Sequence, residues 1–331
     1  MTEYNLHNLF GHQHSEATYN YLTSNTDYPN KAERPFVISR STFTGSGRFT
    51  GQFARTEPTW ASLKNSIAKL FIMQASGIPF SGLDICGTTG ERSDELCARW
   101  MQLGALYPLS RNYYENSTES SITNGHEAYN LPDNMKKAAA GGIQMKRALS
   151  LYYHTLLFEA SQEGGSIFSP LFYMFSNEDG VYEDITHSFM LGDALKITPV
   201  LEEGATTMRS YFPNDKWYDV DNNIITHNYG DGKFIDLNAT WDYINTHMRG
   251  GTIVPFLDPT GNTTEDLLTS KMTLKVLRDS AGFAAGNVYI DDGKTASSFT
   301  DGNYKYYRLI ASGGSITFNK ISGGTGQATI N

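Results

Sequence analysis

Residues 34–48 read Arg34-Pro35-Phe36-Val37-Ile38-Ser39-Arg40-Ser41-Thr42-Phe43-Thr44-Gly45-Ser46-Gly47-Arg48, and the run continues through Gly51-Gln52-Phe53 to Trp60. It begins as a short apolar strand over 36–38 and passes into a polar, glycine-rich loop that carries Arg40 and Arg48. An α/β barrel delivers polar side chains into a pocket in this way, from the ends of its strands. Residues 77–87 repeat the pattern and place a carboxylate, Asp84, at a strand end.

Strands and helices alternate through the first 193 residues. The apolar spacing and the capping residues predict helices over 12–24, 60–76 (after Thr59, closed by Gly77), from Ser93 to before Pro108, and over 133–163 with an interruption at Gly141-Gly142. Strands are predicted at 36–38, 78–84 and 166–172, and a loop at 110–131. This order predicts parallel strands with right-handed crossovers.

Short β-type runs replace this pattern from about residue 194. They lie at 196–200, 207–212, 233–237, 252–256 and 287–293, with turn residues between them. Such spacing predicts antiparallel β-sandwich structure. The Gly-Ser-Thr-rich tail from Ser322 is expected to be either an edge strand or disordered.

The composition limits the classes of partner. The 331 residues are 39% hydrophobic and 18% charged, which is typical of a globular protein. With a net charge of −9 and no basic run, nucleic acid and anionic membrane are not expected partners. No window predicts a transmembrane span, and the first residues lack the features of a signal peptide. The 20 Tyr and 18 Phe fit either core filling or the stacking of sugar rings.

No cofactor or metal is predicted. His12 and His14 lack a third ligand at metal spacing, and the glycine-rich loops at 45–47 and 87–90 lack the Lys-Ser/Thr of a phosphate cradle. The only two cysteines, Cys86 and Cys97, could form one bridge, which the sequence does not decide. Sequons begin at Asn116, Asn238 and Asn262, and they carry little weight without a signal peptide.

Several long runs in order resemble glycoside hydrolase family 31, the α-glucosidase family. They are residues 34–48, Asp84-Ile85-Cys86-Gly87, Glu95-Leu96-Cys97-Ala98-Arg99-Trp100-Met101-Gln102-Leu103-Gly104-Ala105 with Tyr107-Pro108 and Arg111-Asn112, and His247-Met248-Arg249-Gly250-Gly251. Tyr289-Ile290-Asp291-Asp292-Gly293 looks like a motif of the family's last β-domain. The likeness runs from about Asn5 to at least Phe256.

The resemblance implies α/β plus all-β structure, with the later part of a (β/α)₈ TIM-type barrel followed by C-terminal β-sandwich domains. We expect a partial barrel over 1–193, a proximal β-sandwich over 194–265 and a distal β-domain over 266–331. Three parallel strands cannot close a barrel. Three alternatives follow: another chain supplies the earlier strands, this is a truncated product or gene model, or the sheet is an open, rearranged remnant.

The resemblance implies action on α-linked glucosides, which needs two carboxylates about 5–5.5 Å apart. This chain lacks the Trp-x-Asp-Met-Asn-Glu motif that carries the family nucleophile. The family's acid/base Asp falls on Thr56, with Glu57 beside it. Glu57 is either a displaced proton donor or a solvated residue at a helix start, as Pro58 also suits. One expectation is therefore an enzyme whose missing strands and nucleophile lie on a partner or on an N-terminal region, with this chain inactive alone. The other is a non-catalytic carbohydrate-binding or interaction protein.

The resemblance also implies a carbohydrate ligand and indicates which residues would contact it. Arg40 matches a sugar-contacting arginine, although a structural ion pair is the alternative. Asp84 matches a sugar-binding Asp, although it could instead brace a loop. Phe53 and Tyr113 stand where the family has a pocket Trp and His, and Thr88 replaces a pocket Phe. Family members are often lysosomal, in the endoplasmic reticulum or otherwise in the secretory pathway, and the location of this chain stays open.

Overall fold

The structure is a computed structural model that describes residues 2–24, 28–30, 32–115, 125–258, 260–261, 263–268 and 270–322. The sequons at Asn116 and Asn262, and the predicted tail beyond Ser322, lie outside these residues. No helix in the described ranges is long and apolar enough to cross a membrane.

The first half of the chain forms a parallel sheet flanked by helices. Its elements are α1 (Phe10–Ser24), β1 (Ile38–Ser39), β2 (Gly51–Ala54), α2 (Trp60–Ala75), β3 (Ser81–Ile85), α3 (Asp94–Ala105), β4 (Arg111–Asn112), α4 (Asp133–Ala148) and α5 (Ser150–Glu163). The four strands pair in the order β1-β2-β3-β4, all parallel. Their carboxyl ends therefore meet at one edge.

The predicted caps of α2 and α3 are confirmed. Thr59 Oγ1 accepts a hydrogen bond from the Ser62 amide, and Ser93 Oγ accepts one from the Leu96 amide. The helices then bury their apolar faces, which include Leu63, Ile67 and Trp100, in the largest hydrophobic cluster. Capping and apolar spacing together explain why these two helices form where the sequence places them.

Three strand predictions were wrong. β2 and β4 lie inside segments predicted as loops, and the strand predicted over 166–172 is only β5 (Phe168–Ser169). β5 does not join the parallel sheet, because it pairs antiparallel with β6 (Phe189–Leu191), where Phe168 stacks on Phe189 at 3.9 Å between ring centroids. The parallel sheet consequently has four strands: β1 and β3, which overlap predicted strands, and β2 and β4, which were not predicted.

The helical stretch over 133–163 divides at Leu149 and not at Gly141-Gly142. Both glycines lie inside α4. A Cβ on Gly141 would approach the Asp242 carbonyl oxygen to 2.3 Å, and one on Gly142 would lie 3.0 Å from the Ala105 Cβ. These glycines therefore allow close packing and do not interrupt the helix.

The second half is built of strands, as predicted. After α6 (Gly180–Glu183) and β6 come β7 (Leu195–Thr198), β8 (Thr207–Phe212), β9 (Lys216–Asp219), β10 (Ile224–Asn228), β11 (Lys233–Asn238), β12 (Asn245–Arg249), β13 (Thr252–Leu257), α7 (Thr264–Leu268), β14 (Met272–Leu277), β15 (Ala284–Ile290), β16 (Lys305–Ser312) and β17 (Ser315–Ser322). The sheet orders are β10-β9-β12-β7-β6-β5, β11-β8 and β14-β13-β15-β16-β17. Nearly all neighbours are antiparallel, and β13 with β15 is parallel.

Candidate functional site

Asp84, at the end of β3, is the centre of the site. Its side chain has 0% exposure, and both carboxylate oxygens accept hydrogen bonds from the chain itself. Arg111 donates from Nε and Nη2 to Oδ1 at 3.0 and 2.9 Å, and Thr88 Oγ1 donates to Oδ2 at 2.7 Å. These are the contacts of a brace between two strand ends. Direct contact between Asp84 and a sugar stays a prediction.

Arg111 joins the strand ends into one cluster. Its guanidinium lies 3.8 Å from the ring centroid of Phe53, on β2, and 5.1 Å from that of Tyr113, just after β4. Both distances are within the range of cation–π attraction. The Arg111 side chain is 46% exposed, so part of the guanidinium reaches solvent. The structure thus brings together Phe53, Asp84 and Tyr113 around an arginine to which the sequence prediction gave no role.

The loop that follows β3 is held in place on several sides. Cys86 and Cys97 form a disulfide, which ties the loop to α3. Buried His126 contacts the carbonyl oxygens of Gly87 and Gly90 through its two ring nitrogens, at 2.9 and 3.1 Å. Gly87 has φ of 83°, and a Cβ there would lie 2.6 Å from the Pro58 nitrogen. The loop is therefore fixed against the segment that carries Glu57.

Thr56 lies at the position that resembles the family's acid/base Asp, and it is buried. Its Oγ1 donates to the Asp84 carbonyl at 2.8 Å, and its own carbonyl accepts from the Thr88 amide at 2.9 Å. Glu57 is exposed and, within the described ranges, its carboxylate has no hydrogen bond or ion pair. The hydroxyl is thus used to hold the strand ends together, and the neighbouring carboxylate lies outside the cluster.

Arg40 lies one residue beyond β1 and is also apart from the cluster. It is exposed and lines an open depression with Phe10, His14 and Ser41. No ion pair of Arg40 exists among the described residues, so the structure supplies no partner for the ion-pair alternative. His12, on the same helix as His14, forms a hydrogen bond of 2.9 Å between its Nδ1 and Ser46 Oγ.

The cluster presents hydrogen-bond donors and aromatic faces. Arg111 offers its free N–H groups, and Tyr113 (43% exposed) offers a ring face and a hydroxyl. Such groups suit a neutral ligand rich in hydroxyls. Within the described ranges, no group of three or more His, Cys, Asp or Glu side chains is arranged to hold a metal ion.

Comparison with known proteins identifies the family. The model of the "Glycosyl hydrolases family 31 TIM-barrel domain" matches residues 1–156, and that of the "Glycosyl hydrolase family 31 C-terminal domain" matches residues 164–254. The chain belongs to glycoside hydrolase family 31. Its parallel sheet is thus the later part of a TIM-type barrel, and the predicted fold class is confirmed.

Proteins similar to this chain carry the names α-glucosidase and probable maltase-glucoamylase. The chain is 36% identical over 309 residues to the human "Probable maltase-glucoamylase 2", which covers 93% of this chain and 12% of the relative. It is 36% identical to the "Alpha-glucosidase" of Hordeum vulgare, over 88% of this chain and 32% of that protein. It is 32% identical to the mouse "Lysosomal alpha-glucosidase", over 97% of this chain and 34% of that protein. The chain therefore spans about a third or less of the length of these relatives.

Solved structures agree with this assignment. The glucosidase II α subunit in its "alpha3-Glc2-bound" form matches with a TM-score of 0.89 and 26% identity, over 98% of this chain and 34% of that one. A Flavobacterium johnsoniae family-31 dextranase complexed with glucose matches with a TM-score of 0.83 at 22% identity, over 94% of this chain and 38% of that one, which supports the fold alone.

Proposed function

We propose that this chain binds the end of an α-linked glucoside at the strand-end cluster and does not hydrolyse it by itself. The observation that carries the proposal is the state of Thr56 and Asp84. Both oxygens of Asp84 are bonded, whereas Thr56, to which we assign the family's acid/base position, has a hydroxyl that donates to a backbone carbonyl. A threonine hydroxyl does not supply the general acid that glycosidic cleavage requires.

Sugar binding is supported by the chemistry of the exposed groups and by the relatives. Arg111 and Tyr113 together offer charged donors, a hydroxyl and a ring face, which suit the hydroxyls and C–H faces of a pyranose. Relatives of 32–36% identity are named α-glucosidase or probable maltase-glucoamylase, and the glucosidase II α subunit has been solved in "alpha3-Glc2-bound" and "DNJ-bound" forms. We transfer the ligand class, α-linked glucose, to this chain on that basis.

The test is calorimetric titration of maltose into the chain and into Tyr113→Ala. The substitution removes a half-exposed ring and its hydroxyl, so we expect affinity to fall by about fivefold to tenfold. Tyr182→Ala, another half-exposed tyrosine on a separate helix, is the matched control and keeps the parent affinity. Maltose binding that Tyr113→Ala leaves unchanged would remove the strand-end cluster as the binding site.

The second half of the proposal is tested by hydrolysis of p-nitrophenyl α-glucoside. We expect no release of p-nitrophenol by the chain above a control without protein. Turnover that persists in the purified chain and disappears in Glu57→Gln would contradict us and assign Glu57 as the proton donor.

A second candidate function is hydrolysis by a barrel that another polypeptide segment completes. Two observations favour it: β1 and β4 are the outer strands of a four-stranded parallel sheet, and Phe36 beside β1 is 73% exposed. In that arrangement the added segment brings the nucleophile, and Glu57 serves as the acid. This candidate requires that Glu57→Gln abolish turnover of the completed assembly, and equal turnover of parent and variant assemblies excludes it.

A further inference from the structure

A second pocket lies where α5, the turn after β6 and strands β13, β15 and β16 meet. It shares no residue with the strand-end cluster. Its volume is about 580 Å³, which falls in the range of small-molecule sites, roughly 300–1,000 Å³. Its lining includes small and apolar residues, among them Ile253, Ala285 and Gly286. The pocket is thus large enough for a small molecule made of several linked rings.

Three polar side chains that line this pocket, Glu159, Asn287 and Arg308, are connected by hydrogen bonds. Glu159 Oε1 accepts hydrogen bonds from Asn287 Nδ2 at 2.6 Å and from the Tyr306 hydroxyl at 2.8 Å. Asn287 Oδ1 in turn accepts from Arg308 Nη1 at 3.0 Å. These bonds fix the orientation of the carboxylate, the amide and the guanidinium. Among the described residues, Glu159 Oε2 and the remaining Arg308 N–H groups have no partner, so they are available to a ligand.

The lining of the pocket also includes a third charged group and two aromatic rings. The carboxylate of Asp193 is exposed and has no partner within the described part of the chain. Tyr173 is 54% exposed and Phe283 is 40% exposed, and both line the pocket. Flat apolar faces therefore stand beside fixed hydrogen-bonding groups.

We propose that this pocket is a second carbohydrate site, which takes a short neutral oligosaccharide. Sugar hydroxyls both donate and accept, and the pocket offers acceptors on Glu159 and Asp193 together with donors on Arg308. The rings of Tyr173 and Phe283 suit the C–H faces of a pyranose. The inference is independent of the strand-end proposal, because it is drawn from different residues.

The charges argue against the other ligand classes of this size. Two carboxylates outnumber one guanidinium, so a phosphate or another anion meets net repulsion. An oligoamine would be attracted to the carboxylates, but Arg308 would then face a cation and its donors would stay unused. A neutral ligand with both donors and acceptors is the class that uses every group.

The experiment is hydrogen–deuterium exchange of the whole chain with millimolar maltotriose, together with calorimetric titration. We expect slower exchange in peptides that cover 152–159 and 283–287. The double variant Glu159→Gln, Asp193→Asn keeps the side-chain shapes and removes both charges. It should lose this protection, so that roughly tenfold more maltotriose or above is needed to slow exchange in these peptides. Glu163→Gln, the same type of change on the exposed end of α5, is the matched control and keeps the protection.

The two sites are separated by the peptides that respond. Tyr113→Ala affects protection at 81–90 and 110–114 and leaves 152–159 and 283–287 as in the parent. The proposal is overturned if maltotriose does not slow exchange at 152–159 and 283–287. It is also overturned if maltotriose slows exchange there as strongly in the double variant as in the parent. Protection of these segments by spermidine or inorganic phosphate, and not by maltotriose, overturns it in favour of a charged ligand.

Discussion

The buried carboxylate of Asp84 depends on the three side-chain hydrogen bonds that it accepts. An ionised group without partners in the interior costs far more than a single ordinary hydrogen bond contributes. The sequence points to Asp84 because it ends a predicted strand, and to Phe53 and Tyr113 because they match pocket positions of the family that the sequence resembles. It does not reveal that Arg111 would pair with Asp84, because the two-residue strand β4 that carries Arg111 has no apolar pattern of its own.

Thr88→Val tests the need for these partners. Valine matches threonine in shape but has no hydroxyl, so Asp84 Oδ2 loses its donor and stays buried. We expect the free energy of unfolding in urea at pH 7 to fall by about 1–3 kcal/mol. Thr88→Ser retains the hydroxyl and should lose less than the valine variant. Equal stability of Thr88→Val and the parent would show that Asp84 does not depend on this bond.

Elements with long periodic patterns were predicted well, and very short ones were not. α2 and α3 each combine a side-chain N-cap with a buried apolar face, and both begin where the sequence places them. β2 has four residues and β4 has two, so neither shows an alternation that single-sequence reasoning can detect. The glycines of α4 misled the prediction because glycine signals both a helix end and a close contact, and only the tertiary neighbour distinguishes the two.

Gly141→Ala distinguishes these two roles of glycine. Helix propensity alone would make this substitution stabilising by about 1 kcal/mol. The added Cβ would, however, lie 2.3 Å from the Asp242 carbonyl oxygen, which is backbone and cannot rotate away. We therefore expect a net loss of about 1–3 kcal/mol, measured by chemical unfolding. Ala140→Gly, at the exposed neighbouring position, is the control for propensity and should cost about 1 kcal/mol. If Gly141→Ala were more stable than the parent, α4 and the backbone at Asp242 would not be in close contact.

One buried carboxylate, Asp291, helps to join the segment before β1 to the last sheet. Asp291, at the end of β15, accepts hydrogen bonds from Arg34, from His154 on α5 at 3.0 Å and from the Tyr289 hydroxyl at 2.9 Å. Backbone bonds continue the contact, since the Arg34 amide donates to the Lys294 carbonyl at 2.7 Å. The last sheet thereby anchors the segment that leads into β1 and Arg40. Arg34 and Asp291, which form this contact, are 257 positions apart in the chain.

Asp291→Asn tests this anchor through its pH dependence. Burial raises the pKa of Asp291, but hydrogen bonds from His154 and Arg34 and the charge of His154 outweigh burial and hold the pKa well below its usual range. A carboxyl whose pKa is lower in the folded state contributes its full stability above the unfolded-state value, about 3.9, and loses it as the pH falls toward the folded-state value. We expect Asp291→Asn to lower the unfolding free energy at pH 7 by about 2 kcal/mol, less than for a fully buried pair because Arg34 is partly exposed. The deficit should shrink as the pH falls below about 4, when unfolding is followed by urea titration at pH 7, 5 and 3. Asp236→Asn, on the exposed face of β11, is the control and should show neither effect. A deficit in Asp291→Asn that is constant across these pH values would assign Asp291 a role in packing alone.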